Sequence, residues 1–311
     1  MEPPAAPDTP LPPAPCVVGL GEALFDLFES GPRLGGAPLN VAVQSHRLLA
    51  PHGGSGAVVS RVGRDDLGQR LRNELHGAGL SDDFVQTSPD APTGEVRVEQ
   101  HDDGGHTFHI AAHSAWDELE FQAHTAALAG HCAAVAFGSL AQRDPASRRS
   151  IHAFLSAAPR AVKLFDVNLR SSDGKDFYDA PTLHAGCDAA DLVKLNDEEL
   201  QTVCDLVGVP DAEALRDQFQ LRAVVLTRGK DGTTALTDDG WQEGETASYP
   251  RADGADSVGA GDACSAGLLA ALVLGRDMAR ALTVANHTGA YVAGQVGATP
   301  TLPDPIIDLL K

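Results

Sequence analysis

The sequence predicts an α/β protein: a doubly wound, mainly parallel sheet with helices on both faces, carrying a small β lid. Three observations predict it. Apolar runs of strand length recur along the chain, and most are separated by stretches with apolar residues at three- and four-residue spacing. One segment, 93–112, abandons that rhythm for strict alternation. Finally, 311 residues with 43% hydrophobic and 21% charged side chains lie near the globular average, so the chain is expected to fold despite a net charge of −20.

Residues 1–15 run from Met1-Glu2-Pro3-Pro4 to Pro12-Pro13-Ala14-Pro15. They hold no basic region and no apolar stretch before a cleavage site, and they read as a proline-rich disordered tail rather than a signal peptide. Cys16–Leu20 is the first strand, stopped by Gly21, and similar runs follow at 57–62, 133–137, 162–165, 191–195 and 223–226. Helical spacing fills 39–49, 67–75, 117–128, 147–155 and 183–189, which is the alternation that places ligands at the carboxyl ends of parallel strands. In 93–112, Val96, Val98, Phe108 and Ile110 share one face, and Arg97, Glu99, Thr107 and His109 the other, around an Asp102-Asp103-Gly104-Gly105 turn. This hairpin, joined by 24–34, is expected to be a lid over a pocket.

Composition removes several function classes. Forty-three acidic against 23 basic residues repel phosphate backbones, so no nucleic-acid partner is expected. The longest apolar candidate for a membrane span, 263–274, is broken by Ser265 and Gly267 and falls short of the ~20 residues a bilayer requires. Five cysteines, odd in number and without a C-x-x-C, suggest neither a disulfide framework nor a zinc site. A reducing, cytoplasmic location is expected. His101, His106, His109 and His113 have mixed parity around the hairpin and read as surface histidines, while Gly19-x-Gly21 lacks the third glycine of a dinucleotide loop, Leu24 standing in its place.

The sharpest local signal is Asp256-Ser257-Val258-Gly259-Ala260-Gly261-Asp262, a small-residue turn that leads straight into a helix. Unobstructed N–H groups at such a turn cradle a phosphoryl group. Asp262 there is either a proton acceptor for an attacking hydroxyl or a first-turn acid stabilised by the helix dipole. Gly35-Gly36-Ala37-Pro38-Leu39-Asn40 brings backbone close to a small ligand, and Asn40 can donate to and accept from a polyol, although a tight turn with an N-cap-like asparagine fits as well. Asp26 could accept two sugar hydroxyls or be a solvated loop acid. Cys264 lies about 200° of helix from Asp262 and is read as core.

The joint order is more specific than any single motif. Asp26, Gly35-Gly36-x-x-x-Asn40, Asp166-Val167-Asn168-Leu169-Arg170, Lys194-Leu195-Asn196-Asp197-Glu198-Glu199, Thr227-Arg228-Gly229 and Gly259-Ala260-Gly261-Asp262 together resemble the ribokinase-like, PfkB-type carbohydrate kinase family over residues 16–303. The resemblance implies one kinase domain over 16–311. It implies that Asp262 is the catalytic base, that Gly259, Ala260 and Gly261 form the anion hole, and that Asp26, Gly35, Gly36 and Asn40 bind sugar, with Arg170 a further substrate-binding candidate. Lys194, Asn196, Glu199, Thr227 and Gly229 fall on the nucleotide side, Glu199 organising magnesium through water, and Asn286 falls at the adenine pocket, eleven residues before Gly297. Asp256 and the Val258 carbonyl resemble a monovalent-cation site, so ATP, magnesium and potassium are the implied cofactors, with a homodimer through the lid a further expectation.

Leu24 and Gly35-Gly36-Ala37-Pro38-Leu39-Asn40 depart from ribokinases proper, whereas the G-E-x-L-x-D opening, Ala115-Trp116-Asp117 and Gly297-Ala298-x-Pro300 are similar to fructokinases. Phosphorylation of D-fructose to fructose 6-phosphate is therefore expected. A 2-keto-3-deoxygluconate kinase is the alternative, because Arg97, Arg143 and Arg170 could serve a substrate carboxylate. A nucleoside kinase and a catalytically silent sugar-binding regulator are the remaining rivals.

Overall fold

The structure, a computed structural model, describes residues 9–29, 31–100 and 106–311. Strand β1 (Cys16–Leu20) leads into β2 (Leu24–Phe28) and β3 (Gly31–Gly35), then α1 (Ala37–Leu49), β4 (Ser55–Gly63), α2 (Asp66–Gly77) and β5 (Val85–Ser88). A second β excursion, β6 (Gly94–Gln100) and β7 (His106–Ile110), precedes α3 (Ala123–His131), β8 (Ala134–Gly138), α4 (Pro145–Ala157) and β9 (Val162–Asp166). The short β10 (Ser171–Ser172) and β11 (Lys175–Asp176) are followed by α5 (Ala180–Asp188), β12 (Leu192–Asn196), α6 (Asp197–Val207), α7 (Ala212–Gln218) and β13 (Ala223–Thr227). The chain closes with β14 (Thr233–Thr237), β15 (Gly240–Glu243), α8 (Ala260–Val273), α9 (Met278–Val292) and α10 (Asp304–Ile307).

The large sheet has the order β15-β14-β13-β12-β9-β8-β1-β4-β5. It is parallel from β5 to β13, and β14 and β15 add antiparallel strands at one edge. The chain runs outward from β1 through β4 to β5, then returns to β8 beside β1 and proceeds the other way. The strand order thus reverses at the β1/β8 boundary, where open α/β sheets form a crevice beyond the carboxyl ends.

Alternation along the strands feeds two cores. In β1, Cys16, Val18 and Leu20 face a core shared with Phe137 and Phe165, whose rings stack at 5.1 Å, while Val17 faces a second core built with α8 and α9. β12 divides likewise, Val193 and Leu195 one way and Leu192 the other. Each such fully buried side chain contributes about 1.5–3 kcal/mol. The middle of α8 is buried continuously from Ala263 to Ala271, and its many small residues allow close approach of neighbouring elements. Cys264 is buried there as expected, and all five cysteines are free and buried.

A separate four-stranded sheet of order β3-β2-β6-β7 holds the segments expected as a lid, with β2 parallel to β6 and β6 antiparallel to β7. Val96 opposes Ile110, as the alternation implies; Val96 and Val98 are buried, whereas Arg97 and Glu99 are exposed. The Asp102–Gly105 turn, like His101, lies outside the described residues.

Two expectations need correction. The helix foreseen at 117–128 is interrupted: Ala115–Glu118 forms a single 3-10 turn, and α3 starts only at Ala123. Asp117 is drawn away from helix, accepting from the Ser114 N–H and from Arg143, and Gln122 opens a new N-terminus where its N–H donates to Thr125. The tail expected over 1–15 is anchored at its end, since carbonyls of Pro12, Pro13 and Pro15 accept hydrogen bonds from His131, the Ser55 hydroxyl and the Ser55 N–H. Residues 1–8 lie outside the described residues.

Candidate active site

A cavity of about 1180 Å³ opens at the carboxyl ends of the central strands, walled by Val96, Val98 and Ile110 of the four-stranded sheet and floored by the start of α8. The loop before α8 turns through Gly259, whose φ of 77° is left-handed and whose missing side chain leaves room for Ala298; a Cβ there would lie 2.3 Å from that methyl group. This turn delivers Asp262 to the first helical turn. Its Oδ2 accepts a 2.8 Å hydrogen bond from Asn40 Nδ2, so the two separate sequence signals meet. Gly36, with φ 106°, begins α1 against the Glu22 carbonyl and sets Asn40 on that helix's first turn.

Asp26, Gly36, Asn40, Arg170 and Asp262 all line the cavity. Gly35 stands behind Asp26, where a Cβ would come 2.5 Å from the carboxylate. The expected sugar-binding set is therefore assembled in one place. The three arginines considered for a substrate carboxylate are not. Arg97 points away on the exposed lid face, and Arg143 is buried in a two-point pair with Asp117, lying 4.1 Å over the Trp116 ring. Of the three, only Arg170 lines the cavity, and Ala115, Trp116 and Asp117 do not.

Burial pushes the Asp262 carboxyl up to about 6, helped by Asp166 behind it, while the Asn40 hydrogen bond, Lys194 and Arg170 pull it back. Burial likewise raises Asp26 to about 6 against the pull of Arg170, and Glu22 to about 7 even though the Ala37 N–H binds its carboxylate. Glu22 is 3% exposed, lines the cavity and keeps one carboxyl oxygen without a partner. The Asn40 Oδ1 is a second buried acceptor left unpaired. Such atoms cost free energy until a ligand donates to them.

Below Asp262, Lys194 Nζ donates 2.8 Å to Asp166 Oδ2, which also accepts from the Ser265 hydroxyl at 2.8 Å. Burial lowers the lysine's proton affinity, yet Asp166 holds it above the ordinary value. A Cβ on Gly261 would be 3.6 Å from that ammonium group, so the positive charge sits directly under the expected anion hole. Lys194 thus contributes from below.

The other nucleotide-side candidates occupy the carboxyl ends of β12 and β13, where Asn196 pairs with Thr227 across the sheet and Gly229 follows in the next turn. None of them lines the acceptor cavity. The N-x-x-E spacing proves to be a capping box: Asn196 Oδ1 accepts from the Glu199 N–H and Glu199 Oε2 from the Asn196 N–H, both at 2.9 Å. Glu199 Oε1 accepts from the Leu169 N–H at 2.9 Å, steadying the segment in which Asn168 adopts a left-handed φ of 40° and Arg170 enters the cavity. Asn286, expected at the adenine pocket, accepts from the Thr233 N–H and donates to the Gly244 and Glu245 carbonyls, which pins α9 to the β14–β15 edge.

Asp256 is also engaged. Its Oδ1 accepts from the Val258 N–H at 3.2 Å and its Oδ2 from Arg33 Nη1 of the lid at 2.7 Å. A monovalent cation would have to compete with this guanidinium for the same oxygen.

Sequence reasoning quoted Glu22 and Asp166 only as members of motifs, without a role, and did not single out Arg33. Asp166 carried a usable signal, since it is the acid that ends an apolar strand run at the ligand-binding end of the sheet. The burial of Glu22 beside Asp262 and the pairing of Arg33 with Asp256 are tertiary facts that no local pattern announces.

The sequence matches the profile described as "pfkB family carbohydrate kinase" over residues 29–305. It is 31% identical over 304 residues to a fructokinase of Klebsiella pneumoniae, covering 91% of this chain and 95% of that one. Among solved structures it resembles a fructokinase double mutant from Vibrio cholerae, in a form bound to fructose, ADP and potassium ion, at 26% identity and a TM-score of 0.76 over 97% of this chain and 100% of that one. An ATP-bound fructokinase from Xylella fastidiosa, 24% identical, shares the fold with a TM-score of 0.82 over 95% of this chain and 98% of that one. Motif order, cavity and profile agree along nearly the whole length, and the chain belongs to the pfkB family of carbohydrate kinases.

Proposed function

We propose that this carbohydrate kinase transfers the γ-phosphoryl group of ATP to the primary hydroxyl of D-fructose, giving fructose 6-phosphate. The observation that carries the reading is Asp262, set at the first turn of α8, hydrogen-bonded to Asn40 and pushed up to about 6. A carboxylate so tuned is ionised at neutral pH yet basic enough to take the proton of the attacking hydroxyl. Asn40 fixes its orientation.

Asp26, Asn40 and Arg170 supply acceptors and donors for the remaining hydroxyls, and the lid's Val96, Val98 and Ile110 keep water from the transferred group. Backbone N–H groups around Gly259 and Gly261, with the Ala260 N–H turned back onto the Ser257 carbonyl and Lys194 beneath, stabilise charge on the moving phosphoryl oxygens. Thr227 and Gly229 border the nucleotide from the neighbouring strand end. Magnesium, when bound, spreads charge over the phosphates. Among the described residues no group of three or more His, Cys, Asp and Glu side chains could hold a metal, which fits an ion that arrives on the substrate phosphates with much of its water. Glu199, with Asn196, would hold that water from the protein side. Potassium enters this reading only beside Asp256, in competition with Arg33. Five free cysteines suit a reducing, ATP-supplied compartment such as the cytoplasm, and no helix among the described residues is long and apolar enough to cross a membrane.

The runner-up, a 2-keto-3-deoxygluconate kinase, keeps Arg170 as the one of its three candidate arginines that lines the cavity. A coupled assay of ADP release across fructose, ribose, 2-keto-3-deoxygluconate and nucleosides tests the assignment. Fructose is expected to give the highest kcat/KM. No ADP release with any acceptor would support the silent-regulator reading instead.

A further inference from the structure

We propose that Arg33 is a positioning residue that acts as a tethered cation: through Asp256 it ties the lid to the loop preceding α8 and holds that loop in the shape that receives phosphate, in place of a free monovalent ion. The inference rests on the kinase reading of that loop.

Arg33 and Asp256 are 223 positions apart, yet both line the cavity and their charged atoms meet at 2.7 Å. The pair is held from both ends. On the lid side, the Arg33 guanidinium lies 4.5 Å over the Phe28 ring of the adjacent strand, and Arg33 opposes Asp26 in the β2–β3 register. On the loop side, Asp256 accepts from the Val258 N–H through its other oxygen, and its own N–H donates 3.1 Å to the Gln295 carbonyl. The carboxylate is therefore a hub, one oxygen shaping the residues just before Gly259 and the other fixed to the lid.

A guanidinium and a monovalent metal ion carry the same charge, and Asp256 Oδ2 is the atom either would take. Guanidinium adds directed N–H donors and arrives on the same chain, so its effective concentration is in the millimolar range or above without any ion from solution. The residues present consequently do not fit a freely exchanging cation at this oxygen, and occupancy by Arg33 and by potassium is mutually exclusive there. The same contact connects acceptor and phosphate sides: sugar contacts on β2 and β3 and the turn before Asp262 share one ion pair.

The test compares wild type, Arg33→Met and Arg33→Lys as full chains, in KCl and in tetramethylammonium chloride at equal ionic strength, reading both melting temperature and ADP-release kinetics. Wild type is expected to show less than about a twofold difference between the salts, whereas Arg33→Met in the organic salt raises the KM for ATP roughly tenfold and regains most of it in KCl. Melting should follow, with potassium-specific stabilisation appearing only in Arg33→Met. Arg33→Lys, which keeps the charge, should stay close to wild type in its indifference to potassium. Wild type as potassium-dependent as Arg33→Met in both readouts, or Arg33→Met that potassium neither stabilises nor rescues, would overturn the proposal. Should no acceptor be phosphorylated, the kinase reading fails and the melting comparison alone decides the role of Arg33.

Discussion

Asn40 Nδ2 donates a 2.8 Å hydrogen bond to Asp262 Oδ2 across 222 residues of sequence, joining the first turn of α1 to the first turn of α8. Residues of both helix starts line one cavity, so the contact fixes the acceptor side and the phosphate side relative to each other. It also lowers the proton affinity that burial raises in Asp262, which keeps the base ionised near neutrality.

Replacing Asp262 by Asn keeps the shape and removes the proton acceptor. Turnover is expected to fall by about 10² or more while sugar and ATP affinities change little, measured by ADP release and by calorimetric titration. Near-normal kcat in this variant would remove the base assignment. Asn40→Ala, by contrast, should raise the sugar KM and also shift the acid limb of the pH profile upward, because the hydrogen bond that favours the ionised carboxylate is gone.

The pH dependence carries its own sign. Asp262 must be ionised to accept a proton, so kcat/KM should climb as pH rises through about 6. Stability moves the other way. Glu22 is raised from 4.5 to about 7 in the folded chain, so the native state binds this proton more tightly than the unfolded one, and stability is lost as pH rises from about 4.5 through 7. The full loss is on the order of 3 kcal/mol. Glu22→Gln should therefore raise Tm at pH 8 but not at pH 4, read by thermal melts at both values. An equal effect at both would mean the carboxyl is not held proton-rich.

Glu199 offers a separable pair of roles. Glu199→Ala frees the Leu169 N–H and with it the segment that brings Arg170 into the cavity, so the sugar KM is expected to rise at least about fivefold. Glu199→Gln keeps an acceptor but loses the charge, and it should shift the magnesium half-saturation more than the sugar KM. Identical profiles for the two variants would show that only one role exists.

What could be read from the chain and what could not divide along physical lines. The sheet is legible because fully buried parallel strands must be apolar throughout, as Cys16–Leu20 and residues 223–226 are, and because the chain between them has helical spacing. The turn before Asp262 is legible because only glycine tolerates the left-handed backbone at Gly259 against Ala298. Ion pairs such as Arg33 with Asp256, and the burial that perturbs Glu22, arise from contacts between distant segments and leave no local trace. N-x-x-E has two physical meanings at once, ligand motif and capping box, and spacing alone does not separate them. The interrupted helix after Asp117 shows the converse case: apolar spacing was satisfied, but Asp117 gained more from Arg143 and the Ser114 N–H than from continuing a helix.

The choice of sugar turns on the charge balance of the cavity. Asp26, Glu22 and Asp262 share it with Arg170, whose guanidinium acts on all three carboxyls. Arg170, already shared among these three acids, has little left for a substrate carboxylate, whereas a neutral ketohexose can donate to Asp26 and to the unpaired Asn40 Oδ1 without adding charge. The kcat/KM for fructose is therefore expected to exceed that for ribose and for 2-keto-3-deoxygluconate by at least about tenfold, or ~1.4 kcal/mol of transition-state binding. Asp26→Ala should cost more with fructose than Arg97→Ala, since Arg97 lies on the exposed face of the lid. Arg170→Ala is the decisive variant. With fructose it should raise the proton affinities of the three carboxyls, moving the acid limb of the pH profile upward while turnover at pH 8 survives. If 2-keto-3-deoxygluconate proves the better substrate and Arg170→Ala selectively destroys its use, the arginine is serving a substrate carboxylate and the ketohexose assignment is wrong.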